Sequence, residues 1–157
     1  MPGVTNVHED SYTTEVAITE RYTFVVIGAA AGKCKLPAAS GDEEKVLGIA
    51  QTTAKLGETV LVRRGGSSYL VAGGVIARGG DIQAKTTGGN EGRGIALAAP
   101  AAPAGAANPP TTANVDAVST YVTDTLNYMQ RSVATAETAA SAAGDIIIAN
   151  LGRPGMV

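Results

Sequence analysis

The 157-residue sequence has no tryptophan, one phenylalanine (Phe24), one histidine (His8) and one cysteine (Cys34). Each scarcity excludes something. With so few large aromatics, the core must be built from Val, Ile, Leu and Ala, which supply little apolar area per residue. A thin core fits a chain that gains stability from partners. One cysteine allows no intrachain disulfide, and no Cys/His cluster offers a zinc site. The composition suits synthesis in a reducing cytoplasm. Nucleophilic catalysis needs a nucleophile, a base and an orienting group. His8 lies near the N-terminus and Cys34 has no activating partner nearby in sequence, so no catalytic pair is expected. Cys34 reads as a small apolar filler.

Charge of one sign is also lacking. The formal net charge is −2, so no basic field draws a phosphate backbone and no nucleic-acid partner is expected. Met1 to Asp10 carries neither a basic nor an apolar signal region. The longest apolar stretches, around 94–107, are broken by Pro100, Pro103 and glycines, so no membrane span is expected.

What is present is punctuation. Twenty glycines and seven prolines favour short strands and turns over long helices. Residues 1–14 read as an extended arm. Val16, Ile18 and Tyr22, then Thr23 to Ile27, carry the first strand signals. Cys34 to Leu36, Val46 to Ala50, Thr59 to Arg63, Ser68 to Val71, Asp81 to Thr86 and Ile95 to Leu97 read as further strands. Gly65-Gly66 between two apolar runs predicts a hairpin, because both turn positions tolerate positive φ. Asp42-Glu43-Glu44 looks like a solvated loop. Three consecutive isoleucines, Ile146 to Ile148, predict a terminal strand buried on both faces.

Two glycine-rich stretches invite a phosphate-loop reading. Gly89-Asn90-Glu91-Gly92-Arg93-Gly94 leads into a strand, and Gly28 to Lys33 ends in Cys34 rather than Ser or Thr. Neither has the order that a phosphate cradle needs, and both are expected to be turns. Calcium-loop spacing is absent too. No cofactor or metal is expected.

The pattern changes after residue 97. Ala98 to Thr112 is an Ala/Pro/Gly linker. A helix is then predicted over about 115–133. Val115, Val118, Val122, Leu126, Met129 and Val133 fall at helical spacing, with Asn114 as N-cap and Tyr121 and Tyr128 beside the stripe. Something must cover that stripe. Packing on its own domain is the plainer reading, and a helix–helix or partner contact the other.

Several short motifs recur in a fixed order. They are Val46-Leu47-Gly48-Ile49-Ala50-Gln51, Gly57-Glu58-Thr59-Val60-Leu61-Val62 and Val71 to Asp81 with its Gly-Gly-Val-Ile-Ala-Arg-Gly-Gly-Asp turn. Gly94-Ile95-Ala96-Leu97-Ala98-Ala99 and Ala142-Ala143-Gly144-Asp145-Ile146-Ile147 follow. In this order they resemble the capsid decoration (cement) proteins of tailed bacteriophages. The resemblance covers roughly 15–99 and 138–151 and departs from the family pattern at about 100–137.

The resemblance implies a mainly β fold: a small β-barrel or β-sandwich-like domain of short strands. One inserted α-helix and an extended N-terminal arm complete it. The divisions are the arm 1–14, a β domain of 15–99 plus 138–152, the insertion 100–137 and a tail 153–157. It further implies a non-enzymatic virion protein, made in the host bacterial cytoplasm. Such a protein binds the phage major capsid protein on the outer capsid surface and cements neighbouring subunits. Symmetric capsid sites favour a cyclic oligomer, here a homotrimer. Candidate partner contacts are Val4, Val7, His8 and Tyr12 on the arm, with Tyr121 and Tyr128 on the helix. The rival readings are a β-rich interaction module of a tail, fibre or carbohydrate-binding kind, a hydrolase with dispersed acids, and a self-assembling shell protein.

Overall fold

Short β-branched runs separated by glycine turns cannot bury a face alone, so they must pair at long range. The computed structural model describes residues 8–103 and 112–152. In chain order these form β1 (His8–Thr14), β2 (Phe24–Ile27), β3 (Lys33–Lys35), a 3-10 turn (Asp42–Glu44), β4 (Val46–Ala50) and β5 (Thr59–Val71). After them come β6 (Asp81–Ala84), β7 (Gly94–Ala96), α1 (Thr112–Arg131), β8 (Ala134–Ala136) and β9 (Ile146–Leu151).

The first five strands close a barrel in the order β1-β3-β2-β4-β5. Closure comes from β1, which pairs parallel with β3 (Thr13 opposite Lys33) and antiparallel with β5 (Tyr12 opposite Val60). The expected arm is therefore extended, but His8–Thr14 is a barrel stave. Cross-strand ion pairs pin it: Arg63 Nε donates to Glu9 at 2.8 Å and Arg64 to Asp10 at 3.0 Å.

Gly65-Gly66 is not a hairpin tip. Thr59–Val71 is one 13-residue strand that runs through both glycines. Its first half pairs with β1 and β4, and its second half with β9 (Tyr69 opposite Ile148). Gly66 at φ 79° gives the bend by which one strand leaves the barrel and enters a second sheet, β5-β9-β8-β6-β7. The positive φ that a hairpin turn would have used is spent on a corner.

Alternation along the shared strands divides the core into two layers. Val25, Cys34, Ala50, Val60 and Val62 form one cluster, joined by half-buried Tyr12; this is the barrel interior. Its small side chains fit a narrow five-stranded barrel. Phe24, Ile49 and Leu70 point the other way and pack against Ile76, Ile82, Ala134, Ile147 and Ala149 beneath the second sheet. Phe24 and Ile49 stand directly opposite each other in register. The Cys34 thiol is buried and its pKa is pushed up by desolvation, as suits a filler.

Other expectations need correction. Asp42 and Glu43 are buried rather than solvated, 5 % and 6 % exposed, because backbone amides and helix α1 close over them. Of the isoleucine run only Ile147 is buried; Ile146 is 58 % exposed, because the outer face of β9 has no layer above it. The helix starts at Thr112, so Asn114 lies inside it rather than capping it. It stops at Arg131, because Val133 N–H turns to the Ile82 carbonyl (3.0 Å) and Ala134 enters the sheet. The β domain thus resumes a few residues before position 138. Both glycine-rich stretches are turns, as expected. Gly28 N–H bonds the Lys33 carbonyl at 2.9 Å, and Gly92 N–H bonds the Lys85 carbonyl at 2.8 Å.

Candidate interaction surfaces

The 3-10 turn is where helix and barrel meet. Asp42 accepts backbone bonds from Ala38 (3.0 Å) and Ala39 (3.3 Å), with Lys45 Nζ at 3.7 Å and Lys35 Nζ at 3.9 Å. Glu43 accepts from Gly41 N–H at 2.8 Å and faces Arg131 of α1 at 3.5 Å, while Glu44 lies 3.7 Å from the same guanidinium. Arg131 sits in the last helical turn, where a cation is also favoured by the helix dipole. This cluster anchors the C-terminal end of α1 to the barrel.

The Ala38 amide, with Lys35, Ala39 and Lys45, holds the Asp42 carboxyl below its usual pKa of 3.8, against an opposing effect of burial. A group whose pKa is lower in the folded state stabilises above the unfolded value and loses that contribution as pH falls through the folded one. Stability is therefore expected to drop below about pH 4. Asp42→Asn should lower stability by about 1–2 kcal/mol near pH 7 and flatten the acid limb. Thermal melts across that range check it. An unchanged acid limb in the variant would assign the transition to other carboxylates.

The rest of α1 is held by its polar side. It packs on β6 and the 3-10 turn. Tyr128 hydroxyl donates to Asp81 of β6. Tyr121, Thr125 and Tyr128 are half-buried toward the domain. The opposite side is bare: Val115 is 59 % exposed, Val118 48 %, Val122 51 %, Leu126 56 % and Met129 57 %. The domain does not cover the stripe. Tyr128 does that anchoring, because its hydroxyl reaches a carboxylate that a valine cannot bond.

The structure thus separates the sequence-derived contact residues. Val4 and Val7 lie outside the described residues. His8 is exposed at the start of β1, its Nε2 3.0 Å from Asp10. Tyr12 is turned into the barrel cluster. Tyr121 is half-buried, and Tyr128 bonds Asp81 of its own domain.

A second open patch escaped the sequence reading. Tyr69, 53 % exposed, has its ring 5.4 Å from that of Tyr22, and the Arg21 guanidinium lies 5.0 Å from the Tyr22 ring centre. Tyr22 adopts φ 64°, fixed because its N–H bonds Ala50 (2.7 Å) and its carbonyl accepts from Val71 (2.8 Å). Its signal was a tyrosine flanked by barrel residues, which reads in sequence as one more strand position.

A depression of about 400 Å³ is lined by Thr19, Glu20, Thr23, Leu36, Asn90 and Glu91. Its Glu20 carboxylate is held bidentately by Arg93 at 2.9 Å for both bonds. Among the described residues no three His, Cys, Asp or Glu gather as a metal site, and no helix is long and apolar enough to cross a membrane.

No protein-family model matches this chain, and no curated protein matches it in sequence. Among solved structures, the N base of head fiber gp8.5 of bacteriophage phi29 is similar to this chain in shape. The TM-score is 0.55 at 9 % identity, over 93 % of this chain and 94 % of that one. At that identity the likeness is one of fold alone, extending along nearly the whole of both chains.

Proposed function

We propose that this chain is a structural protein of a tailed-phage head, seated on the outer capsid surface, where it cements neighbouring major-capsid subunits. The observation that carries the reading is the near end-to-end fold match to a phage head-fiber base. The ordered Gly-Glu and Gly-Asp motifs, which resemble decoration proteins, support it independently. The described surface agrees, since its open features include the apolar side of α1 and the Tyr22–Tyr69 patch, the kind that bind other proteins. The chain is proposed as non-enzymatic and homotrimeric, with the capsid lattice as its partner.

The test is co-sedimentation with DNA-filled heads that lack their own decoration protein. Saturable binding at a fixed ratio to capsid subunits is expected, with better survival of the heads on heating. Absence of binding to such heads overturns the reading. The fold match favours one specific alternative, a base that carries a projection elsewhere on the virion. That role predicts sparse binding at a few positions and unchanged heat survival.

A further inference from the structure

Tyr69 is an exposed ring with a firm backing. It stands on the second half of β5, directly opposite Ile148 of β9. Against it lies the ring of Tyr22, which is half-buried and packs on the larger core cluster. The Tyr22 backbone is tied on both sides, by its N–H to Ala50 and by its carbonyl from Val71. The Arg21 guanidinium rests over the Tyr22 ring. A stack already held in place loses little freedom when a partner arrives. Tyrosine and arginine are also the side chains that most often dominate protein interfaces.

The surroundings of the stack select what can sit on it. A trough of about 240 Å³ adjoins Tyr69, lined by Arg63, Ser67, Ser68 and Ile148 as well. Small-molecule pockets run from about 300 to about 1,000 Å³, so this trough suits a side chain better than a free ligand. Its donors are already spent. Arg63 gives Nε and Nη2 to Glu9 and Nη1 to the Ser67 carbonyl. The Ser67 hydroxyl donates to Glu137 and the Ser68 hydroxyl to the Tyr69 carbonyl. A sugar laid on the ring would find no donor there for its oxygens. What stays open is apolar: the Tyr69 ring, Ile148, and Ile146 two residues away on the same face of β9.

Charge narrows the choice further. Arg63, Arg64, Arg93 and Arg131 each hold a carboxylate of this chain. Arg21 is exposed and holds none among the described residues. It is complementary to an acid from outside. Glu137 puts a negative charge at the Ser67 end of the trough and would repel that acid, so the acid belongs at the Arg21 end.

We infer that the Arg21–Tyr22–Tyr69 stack and its trough are the anchor point for the capsid subunit: a segment of that protein lays a large apolar side chain against Tyr69 and Ile148 and sets an acidic residue on Arg21. The identity of the partner rests on the capsid reading; its chemistry rests on the stack and the trough.

Titration of DNA-filled heads that lack their own decoration protein tests this, with binding read by co-sedimentation. Tyr69→Ala should weaken binding at least about 30-fold, the effect of losing an interface anchor. Tyr69→Phe keeps the ring and should bind like the wild type. Arg21→Glu sets like charges face to face and should cost at least about tenfold. Arg21→Gln should flatten the fall of affinity with added salt. Lys33→Glu makes the same charge change at an exposed position on β3 and should leave binding unchanged. Arg21 is exposed, so its variants should melt like the wild type even if Tyr69→Ala does not.

Heads bound equally well by Tyr69→Ala and Arg21→Glu overturn the inference and leave the capsid reading standing. A loss in Tyr69→Phe as large as in Tyr69→Ala assigns the contact to the hydroxyl and overturns the apolar anchor. A loss in Lys33→Glu equal to that in Arg21→Glu reduces the attraction to overall charge and overturns the role of Arg21. A wild type that does not bind heads sinks the capsid reading and this inference together.

Discussion

Phe24→Ala is expected to lower the stability of the folded chain by about 3–5 kcal/mol, a large share of the roughly 5–15 kcal/mol that holds a small domain. Phe24 is fully buried and is the chain's only phenylalanine. Its ring sits where the two layers meet, opposite Ile49 of the barrel wall and in the cluster that includes Leu70, Ile82 and Ile147. Half of the cluster's other twelve residues are alanines, at positions 72, 84, 134, 136, 140 and 149. Alanines have no side-chain length with which to refill a void, so the cavity stays open and its lining loses its contacts. Phe24→Leu, which refills part of the space, should lose only about 1–1.5 kcal/mol. Urea midpoints for both variants, beside Val75→Ala at an exposed position, provide the check. If Phe24→Ala shifts the midpoint no further than Val75→Ala, the two layers do not depend on this ring.

Gly48→Ala is expected to cost about 3 kcal/mol or more, for a different reason. A Cβ at Gly48 would lie 2.2 Å from the Arg63 carbonyl oxygen, and 2.9 Å from both the Arg63 carbonyl carbon and Val62 Cγ1. The atoms in the way belong mostly to backbone, so no rotamer relieves the clash. Strand β5 cannot retreat either, because β1 holds it from the other side and the ring of strands is closed. Gly74→Ala is the matched control. A Cβ there meets nothing within 4 Å, and the change should stay within about 0.5 kcal/mol. Thermal melts of the pair decide it. A Gly48→Ala protein that melts like Gly74→Ala would mean that the barrel can open between β4 and β5.

Legibility in the sequence follows the range of each signal. Strands β4, β6, β7 and β9 were visible within a residue or two as short apolar runs, since each begins after a Gly-acid or glycine turn. β8 was not. Ala134-Thr135-Ala136 has little strand propensity of its own, and it is a strand because β6 and β9 lie on either side to pair with it. The stripe on α1 was legible from Val115 to Met129, but not what covers it; Val133, read as its last member, lies beyond the helix and packs against the core. Periodicity states that one face is apolar and says nothing about which way that face is turned. Tyr128, named in the sequence as a partner contact, also hydrogen-bonds Asp81 of its own domain, a pairing that sequence separation hides.

By itself, then, the sequence determined the class of the fold, the aliphatic character of its core, the single long helix and the short strands entered by glycine turns. These depend on neighbours a few residues apart, where steric preference and period act directly. The tertiary structure decided three things. His8–Thr14 closes the barrel instead of hanging free, through partners distant in sequence, such as Lys33 for Thr13 and Arg63 for Glu9. Thr59–Val71 passes straight through two glycines, because positive φ serves a corner as readily as a hairpin and only the partner strands choose between them. The valine stripe of α1 faces outward, because the polar anchors at Asp81, Glu43 and Glu44 fix the helix by its other side.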